Sequence, residues 1–121
     1  MRFHRTLIAG TLLGTFVALP AHADFKRIKS EAEFRKMVVG KTLANDRAQF
    51  VLTAGGKSTG KVGSEKWVGA WVWHNDAYCS NGRLGKNPEF GTKCHFWEID
   101  GSTVRMLRDR GKGDTITYRL K

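Results

Sequence analysis

The sequence contains no apolar run long enough to cross a bilayer as a permanent helix. Its longest uncharged apolar segment, Leu7 to Leu19, has 13 residues, whereas a membrane-spanning helix needs about 20. The segment follows Arg2 and Arg5 and precedes Pro20-Ala21-His22-Ala23, which ends in the small-x-small pattern that signal peptidase accepts. We therefore predict a cleaved signal peptide over residues 1–23 and a chain that does not span the membrane. A membrane anchor or a buried helix is the alternative interpretation.

Cysteine is nearly absent, since Cys79 and Cys94 are the only two. In an oxidising compartment an isolated pair most simply forms one disulfide. Closing a loop of about 15 residues would stabilise the domain by about 3 kcal/mol in the chain-entropy model. His74 and His95 lie nearby, so a metal site is the alternative. The close ligand pairs of zinc sites, such as C-x-x-C, are missing, and we predict no metal and no cofactor.

Acidic residues are scarce, with 11 against 21 lysines and arginines. Loss of Arg2 and Arg5 with the signal peptide leaves 19 basic residues and a net charge of +8. Such a charge on a small exported domain favours an anionic envelope component or an acidic protein as partner. No feature predicts specific nucleic-acid binding, and the alternative is that the charge serves only solubility.

One helix is predicted near the start of the domain. Ser30 and Glu33 form a capping box, and Phe34 and Val38 fall on one helical face before Gly40, where a C-terminal stop belongs. The helix is expected from residue 31 to residue 39. A helix this short is not stable alone, so it must pack on the rest of the chain.

The remaining sequence reads as short strands separated by turns. The β-type runs lie at residues 49–54, 59–63, 67–73, 77–80, 93–99, 103–108 and 115–120. Closely spaced strands with short turns are typical of an antiparallel meander. We predict one mainly β domain over residues 24–121. It consists of about six to eight antiparallel strands, forming either a small barrel or a curved sheet, with one short N-terminal helix across one end or face.

Three tryptophans alternate along one predicted strand. Trp67, Trp71 and Trp73 share one face, with Val68 and Val72 on the other. Two apolar faces indicate either burial on both sides or one face that lines a pocket. We predict core packing for the tryptophans, with an aromatic wall of a binding pocket as the alternative.

Basic side chains are concentrated in the C-terminal hairpin. They are Arg105, Arg108, Arg110, Lys112, Arg119 and Lys121. With the apolar residues inward, several of these side chains point outward, and the exposed N–H groups of the glycine loop could help to hold an anion. This hairpin is our candidate binding surface. The alternative is a solvated strand face whose charges prevent edge-to-edge aggregation.

No catalytic constellation is visible. His95 and Glu98 fall on opposite faces of one predicted strand, and His74 lies at a strand end beside a turn. We favour a non-enzymatic, periplasmic or secreted binding domain for an anionic or small ligand, with no catalytic residues. The alternatives are a small secreted hydrolase using His74, His95 or Glu98, and an envelope inhibitor or assembly factor that binds an acidic protein.

The order of these features resembles small exported bacterial proteins of unknown function. The resemblance rests on the capped helix, Gly-Ala-Trp-Val-Trp at 69–73, Tyr78-Cys79, Cys94 and Arg-Asp-Arg-Gly-Lys-Gly-Asp at 108–114. Some proteins of this appearance have been named dihydrodipicolinate reductases. That activity is not expected here, because the chain lacks both the length and the strand–G-x-G-x-x-G–helix unit of a dinucleotide-binding enzyme.

Signal cleavage makes the first testable prediction. The intact mass of the exported protein should correspond to a chain that begins at Asp24, because Ala21 and Ala23 provide the small side chains that the peptidase requires. Recovery of the uncleaved chain from the membrane fraction would contradict the signal-peptide interpretation.

Overall fold

The computed structural model describes residues 24–121, so the predicted signal peptide lies outside the described residues. This part of the chain folds into nine strands, one α-helix and one short 3-10 segment. In chain order they are β1 (Lys26–Ile28), α1 (Glu31–Met37), β2 (Thr42–Ala44), β3 (Ala48–Leu52), β4 (Lys57–Val62), β5 (Glu65–His74), β6 (Ala77–Leu84), β7 (Lys93–Asp100), β8 (Thr103–Leu107), the 3-10 segment (Arg108–Gly111) and β9 (Thr115–Leu120).

Strands β2 to β9 form a closed antiparallel barrel. Each pairs with its neighbour in sequence, and β2 returns to β9 through the pairs Leu43–Leu120 and Ala44–Arg119. Strand β1 lies outside this cycle and pairs with the C-terminal half of β7. The predicted mainly β, antiparallel class is therefore confirmed, and the structure selects the closed barrel over the curved sheet.

Helix α1 closes one end of the barrel. Ser30 caps its start by accepting a hydrogen bond from the Glu33 backbone N–H at 3.2 Å. Phe34 is fully buried, with its ring centroid 5.1–5.8 Å from the rings of four aromatic residues. These are Trp71, Trp73, Tyr78 and Trp97. The short helix is thus stabilised by its buried aromatic face, as its length requires.

Two short strands were not among the predicted ones. Strands β1 and β2 have three residues each, too few to show a period of two. The predicted helix was two residues too long, since α1 ends at Met37. Strand β6 continues to Leu84, four residues beyond the predicted run 77–80, because residues 81–84 pair with β5 and Gly82 lies in the barrel wall beside the Trp67 ring.

Cys79 and Cys94 form the predicted disulfide. They are direct cross-strand partners on β6 and β7. The bond joins the two strands on either side of the eight-residue connection 85–92, the longest in the barrel. It therefore restrains the part of the wall where strand pairing is interrupted. No helix within residues 24–121 is both long and apolar enough to pass through a bilayer.

Strand β5 provides a matched test of which face is core. Trp71 is 2% exposed and donates its indole N–H to the Thr53 carbonyl at 3.0 Å, whereas the neighbouring Val72 is 61% exposed. Trp71→Ala should cost about 3–5 kcal/mol in the free energy of unfolding, because it empties a buried aromatic site. Val72→Ala should cost less than about 0.5 kcal/mol, as is usual at the surface. Equal losses in urea denaturation would contradict this assignment of faces.

Candidate functional site

A cavity of about 1060 Å³ extends from the interior of the barrel through one open end to exposed residues at its rim. Helix α1 covers the opposite end, and the connections after β2, β6 and β8 contribute Asp46, Phe90 and Asp114 to the cavity lining. The cavity therefore opens at this end, which we call the mouth. Pockets for small organic molecules generally have volumes of about 300–1000 Å³. An eight-stranded barrel is just wide enough to hold one such molecule when side chains do not fill it.

Glycines on the inner face keep the lumen open. A side chain at Gly82 would overlap the ring of Trp67, and one at Gly69 would come within 3.1 Å of the same ring. A side chain at Gly60 would overlap Phe50. The aromatic rings therefore lie against bare backbone, which allows two large rings to line the wall without occupying the centre.

The four tryptophans divide between the closed end and the cavity wall. Trp71 and Trp73 pack on Phe34 and do not line the cavity, so they belong to the closed end. Trp67 lines the cavity and donates its indole N–H to the Ser58 hydroxyl at 2.9 Å. Trp97 also lines the cavity, yet its buried Nε1 has no hydrogen-bond partner in the described part of the chain.

Two tyrosines are among the residues that line the cavity. Tyr78 and Tyr118 are each 6% exposed, and the ring of Trp97 contacts both. Burial raises the pKa of each tyrosine to about 12. Both phenols consequently keep their protons at any physiological pH and remain able to donate hydrogen bonds.

His95 connects the cavity to the loop between β8 and β9. Its Nδ1 accepts a hydrogen bond from the Asp109 backbone N–H at 2.9 Å. Asp109 and Arg110 have φ angles of 52° and 53°, in the left-handed region that is unfavourable for residues other than glycine. The hydrogen bond to His95 thus helps to hold a strained loop in place beside the mouth.

The structure places the six predicted basic residues in several environments. Arg105 donates a hydrogen bond to Glu98 at 2.9 Å, and its guanidinium lies 3.8 Å from the centre of the Phe25 ring. Arg108 lines the cavity and pairs with Asp114 at 3.4 Å. The first is therefore bound on the outer surface of the barrel wall, and the second belongs to the mouth.

The other four basic residues are also dispersed. Arg110 lies 3.9 Å from Asp76. Lys112 is exposed on the loop. Arg119 and Lys121 are exposed and alternate with the inward-facing Tyr118 and Leu120, so they lie on the outer side of the rim of the pocket. Of the six residues, Arg108 is the one at the mouth.

The residues considered for catalysis do not meet. His95 is buried on the inner face of β7, whereas Glu98 pairs with Arg105 on the outer face. His74 is exposed at the end of β5 and contacts Asn75. The described residues contain no cluster of three or more histidine, cysteine, aspartate or glutamate side chains that could hold a metal ion.

The sequence indicated the tryptophan wall as an alternative and His95 only as an alternative metal-binding or catalytic residue, and it did not place Phe50, Tyr78 or Tyr118 in a site. These residues lie on five different segments of the chain when Trp67 is included, and only barrel closure brings them together. The sequence does contain one indication of the cavity. Gly60, Gly69 and Gly82 fall at inward positions of three successive strands, and glycine in a strand often marks a place where another group approaches the backbone closely.

Comparison with known proteins adds no relative to this geometry: no family model, curated protein or solved structure matches the chain.

Protonation of His95 should destabilise the protein at acid pH. Burial lowers the pKa of His95 below the usual 6.5, and Arg108 and Lys93 act in the same direction, opposed by Asp109 and Asp114. The unfolded state therefore binds a proton before the folded state does. The contribution of neutral His95 to the free energy of unfolding should be fully present above about pH 6.5. This contribution should be lost progressively as the pH falls from there toward the lower pKa of His95 in the folded state.

The measurement is urea denaturation between about pH 8 and pH 5, a range that contains the ordinary histidine pKa. His95→Asn keeps an acceptor for the Asp109 N–H but cannot titrate, so its stability should depend less on pH than that of the parent. His74→Asn is the matched control, because His74 is exposed, and it should behave like the parent. A parent-like pH profile for His95→Asn would rule out His95 as the source.

Proposed function

We propose that this protein is an exported, non-enzymatic binding domain that takes one small, largely apolar ligand into the barrel. The observation that carries the proposal is the cavity of about 1060 Å³, closed at one end and lined by aromatic rings. Protein interiors are normally packed without voids larger than a water molecule. A lumen that residues 24–121 leave open to this extent is therefore suited to a bound molecule.

The arrangement of the wall supports a ligand of substantial apolar surface. Phe50 and Trp67 lie edge to face, with their ring centroids 6.1 Å apart, and Trp67 also contacts Phe90 at 5.9 Å. Phe90 is 60% exposed at the mouth. A ligand that covers this apolar surface would gain binding free energy, since burying apolar area contributes about 25 cal/mol per Å².

Two observations support export to the periplasm or the exterior. The Cys79–Cys94 disulfide is typical of oxidising compartments. The Asp24 backbone N–H donates to the Asp100 carboxylate at 3.1 Å. Cleavage before Asp24 would convert this N–H into an ammonium group, which would pair with the same carboxylate more strongly.

The proposal is tested with N-phenylnaphthylamine, an uncharged fluorophore with an aromatic body of the right size. It should bind in a one-to-one complex and accept energy from the tryptophans that line the lumen. Met106→Trp should weaken binding at least about tenfold, the effect of losing about 1.4 kcal/mol of contact free energy, because Met106 lines the cavity and the larger ring would occupy it.

Leu107→Trp is the matched control, since Leu107 is adjacent on β8 and does not line the cavity. It should bind the fluorophore like the parent. Thermal melting of both variants verifies that each is folded. Equal binding by the two folded variants would show that the fluorophore does not enter the barrel, and the proposed function would be rejected.

A further inference from the structure

The rim of the cavity carries more basic than acidic residues. Its charged residues are all exposed and comprise two acidic residues and five lysines or arginines: Asp46, Asp114, Arg47, Lys93, Arg108, Arg119 and Lys121. Lys93 lies on the same strand face as the buried His95 and Trp97, and Arg108 lies at the mouth. Both acids come from connections at the mouth, and Asp114 is already paired with Arg108. A ligand that carries a negative charge would therefore enter a field of favourable sign.

The buried polar groups of the lining are rich in donors. The indole N–H of Trp97 is buried without a partner, and an unmade hydrogen bond of this kind costs free energy. Nδ1 of His95 is occupied as an acceptor, so the neutral ring must carry its proton on Nε2. His95 therefore also presents a donor, and an arginine is a donor in every state.

The tyrosines add neutral hydroxyl groups, which can donate as well as accept hydrogen bonds. Tyr78 and Tyr118 remain protonated because their burial disfavours the phenolate. No carboxylate from residues 24–121 lines the interior apart from the two at the mouth. An acidic ligand would supply a charged acceptor for the buried indole N–H of Trp97, which has no partner among the described residues, and for Nε2 of His95.

The apolar part of the lumen excludes a bare inorganic anion as the best match. Phosphate or sulfate would satisfy donors but leave the rings of Phe50 and Trp67 uncovered. A neutral hydrocarbon would cover the rings but leave the donors unpaired. Only a molecule with both an apolar body and an acidic group complements both features.

We propose that the ligand is an organic anion, with its acidic group held at the mouth beside Arg108 and its apolar body lying against Trp67 and Phe50. The inference rests on the proposed function, because it names the ligand class of the same cavity. Arg108 is the chosen contact because it borders both the large cavity and the small pocket that contains His95 and Lys93.

The experiment compares two fluorophores that share one aromatic body. Anilinonaphthalene sulfonate carries a sulfonate, and N-phenylnaphthylamine does not. The parent protein should bind the sulfonate more tightly than the neutral probe. Arg108→Gln should reduce that preference about three- to tenfold, the effect of losing one partly exposed, charge-assisted hydrogen bond. It should leave binding of the neutral probe nearly unchanged.

Two further variants test whether the effect of Arg108→Gln arises from the site itself, from the change in net charge, or from disruption of the loop. Arg83→Gln removes an equal charge from an exposed residue of β6 that does not line the cavity, so the preference should persist. Arg108→Lys retains the positive charge and should restore most of the preference. Added salt should weaken binding of the sulfonate probe more than binding of the neutral probe, because screening acts only on the charged contact.

The outcomes distinguish this inference from the function on which it rests. If both probes bind inside the barrel with equal affinity, the cavity function stands and the anion assignment is overturned. If Arg83→Gln lowers the preference as much as Arg108→Gln, net charge is responsible and Arg108 is not the site. If neither probe binds in a manner sensitive to Met106→Trp, the proposed function fails and the ligand class fails with it.

Discussion

Closure of the sheet through β2 is the constraint on which the rest of the structure depends. Only two residue pairs, Leu43–Leu120 and Ala44–Arg119, join β2 to β9, supported by the reciprocal backbone hydrogen bonds of Thr42 and Lys121 at 3.2 and 2.9 Å. Without them the eight strands would have two unpaired edges, which invite aggregation. With them the sheet encloses a lumen, and every inward side chain acquires neighbours from across the barrel.

The enclosed space is used in two different ways along its length. At the closed end, Phe34 from α1 contacts four aromatic rings and fills the space as an ordinary core. Toward the mouth, Gly60, Gly69 and Gly82 leave room for rings to lie flat against the wall. The two regions share residues, since Tyr78, Trp97 and Tyr118 belong to the buried core and also line the cavity.

The structure shows that the basic residues lie in different local environments, which the net charge of the sequence does not reveal. Arg105 and Arg110 are engaged with Glu98 and Asp76, so their charge is partly neutralised where it lies. Arg108 is also paired, with Asp114, but it lies where the strained loop, the buried His95 and the cavity meet. The chemistry of recognition thus depends on a few donors that face a common space, and the net charge only adds a general attraction.

Local sequence patterns predicted those helices and strands in which apolar residues recur at a regular spacing over several residues. The cap at Ser30, the alternation through Trp67 and Trp73, and the isolated cysteine pair each express a short-range rule of geometry or chemistry, and so the helix, the long strands and the disulfide were predictable. Strands β1 and β2 were not, because three residues are too few for a period and their pairing partners lie far along the chain. Tertiary structure alone decided between sheet and barrel. It also formed the lumen and brought His95 to Asp109. Contacts between segments that are distant in sequence leave no local sequence pattern from which they could be predicted.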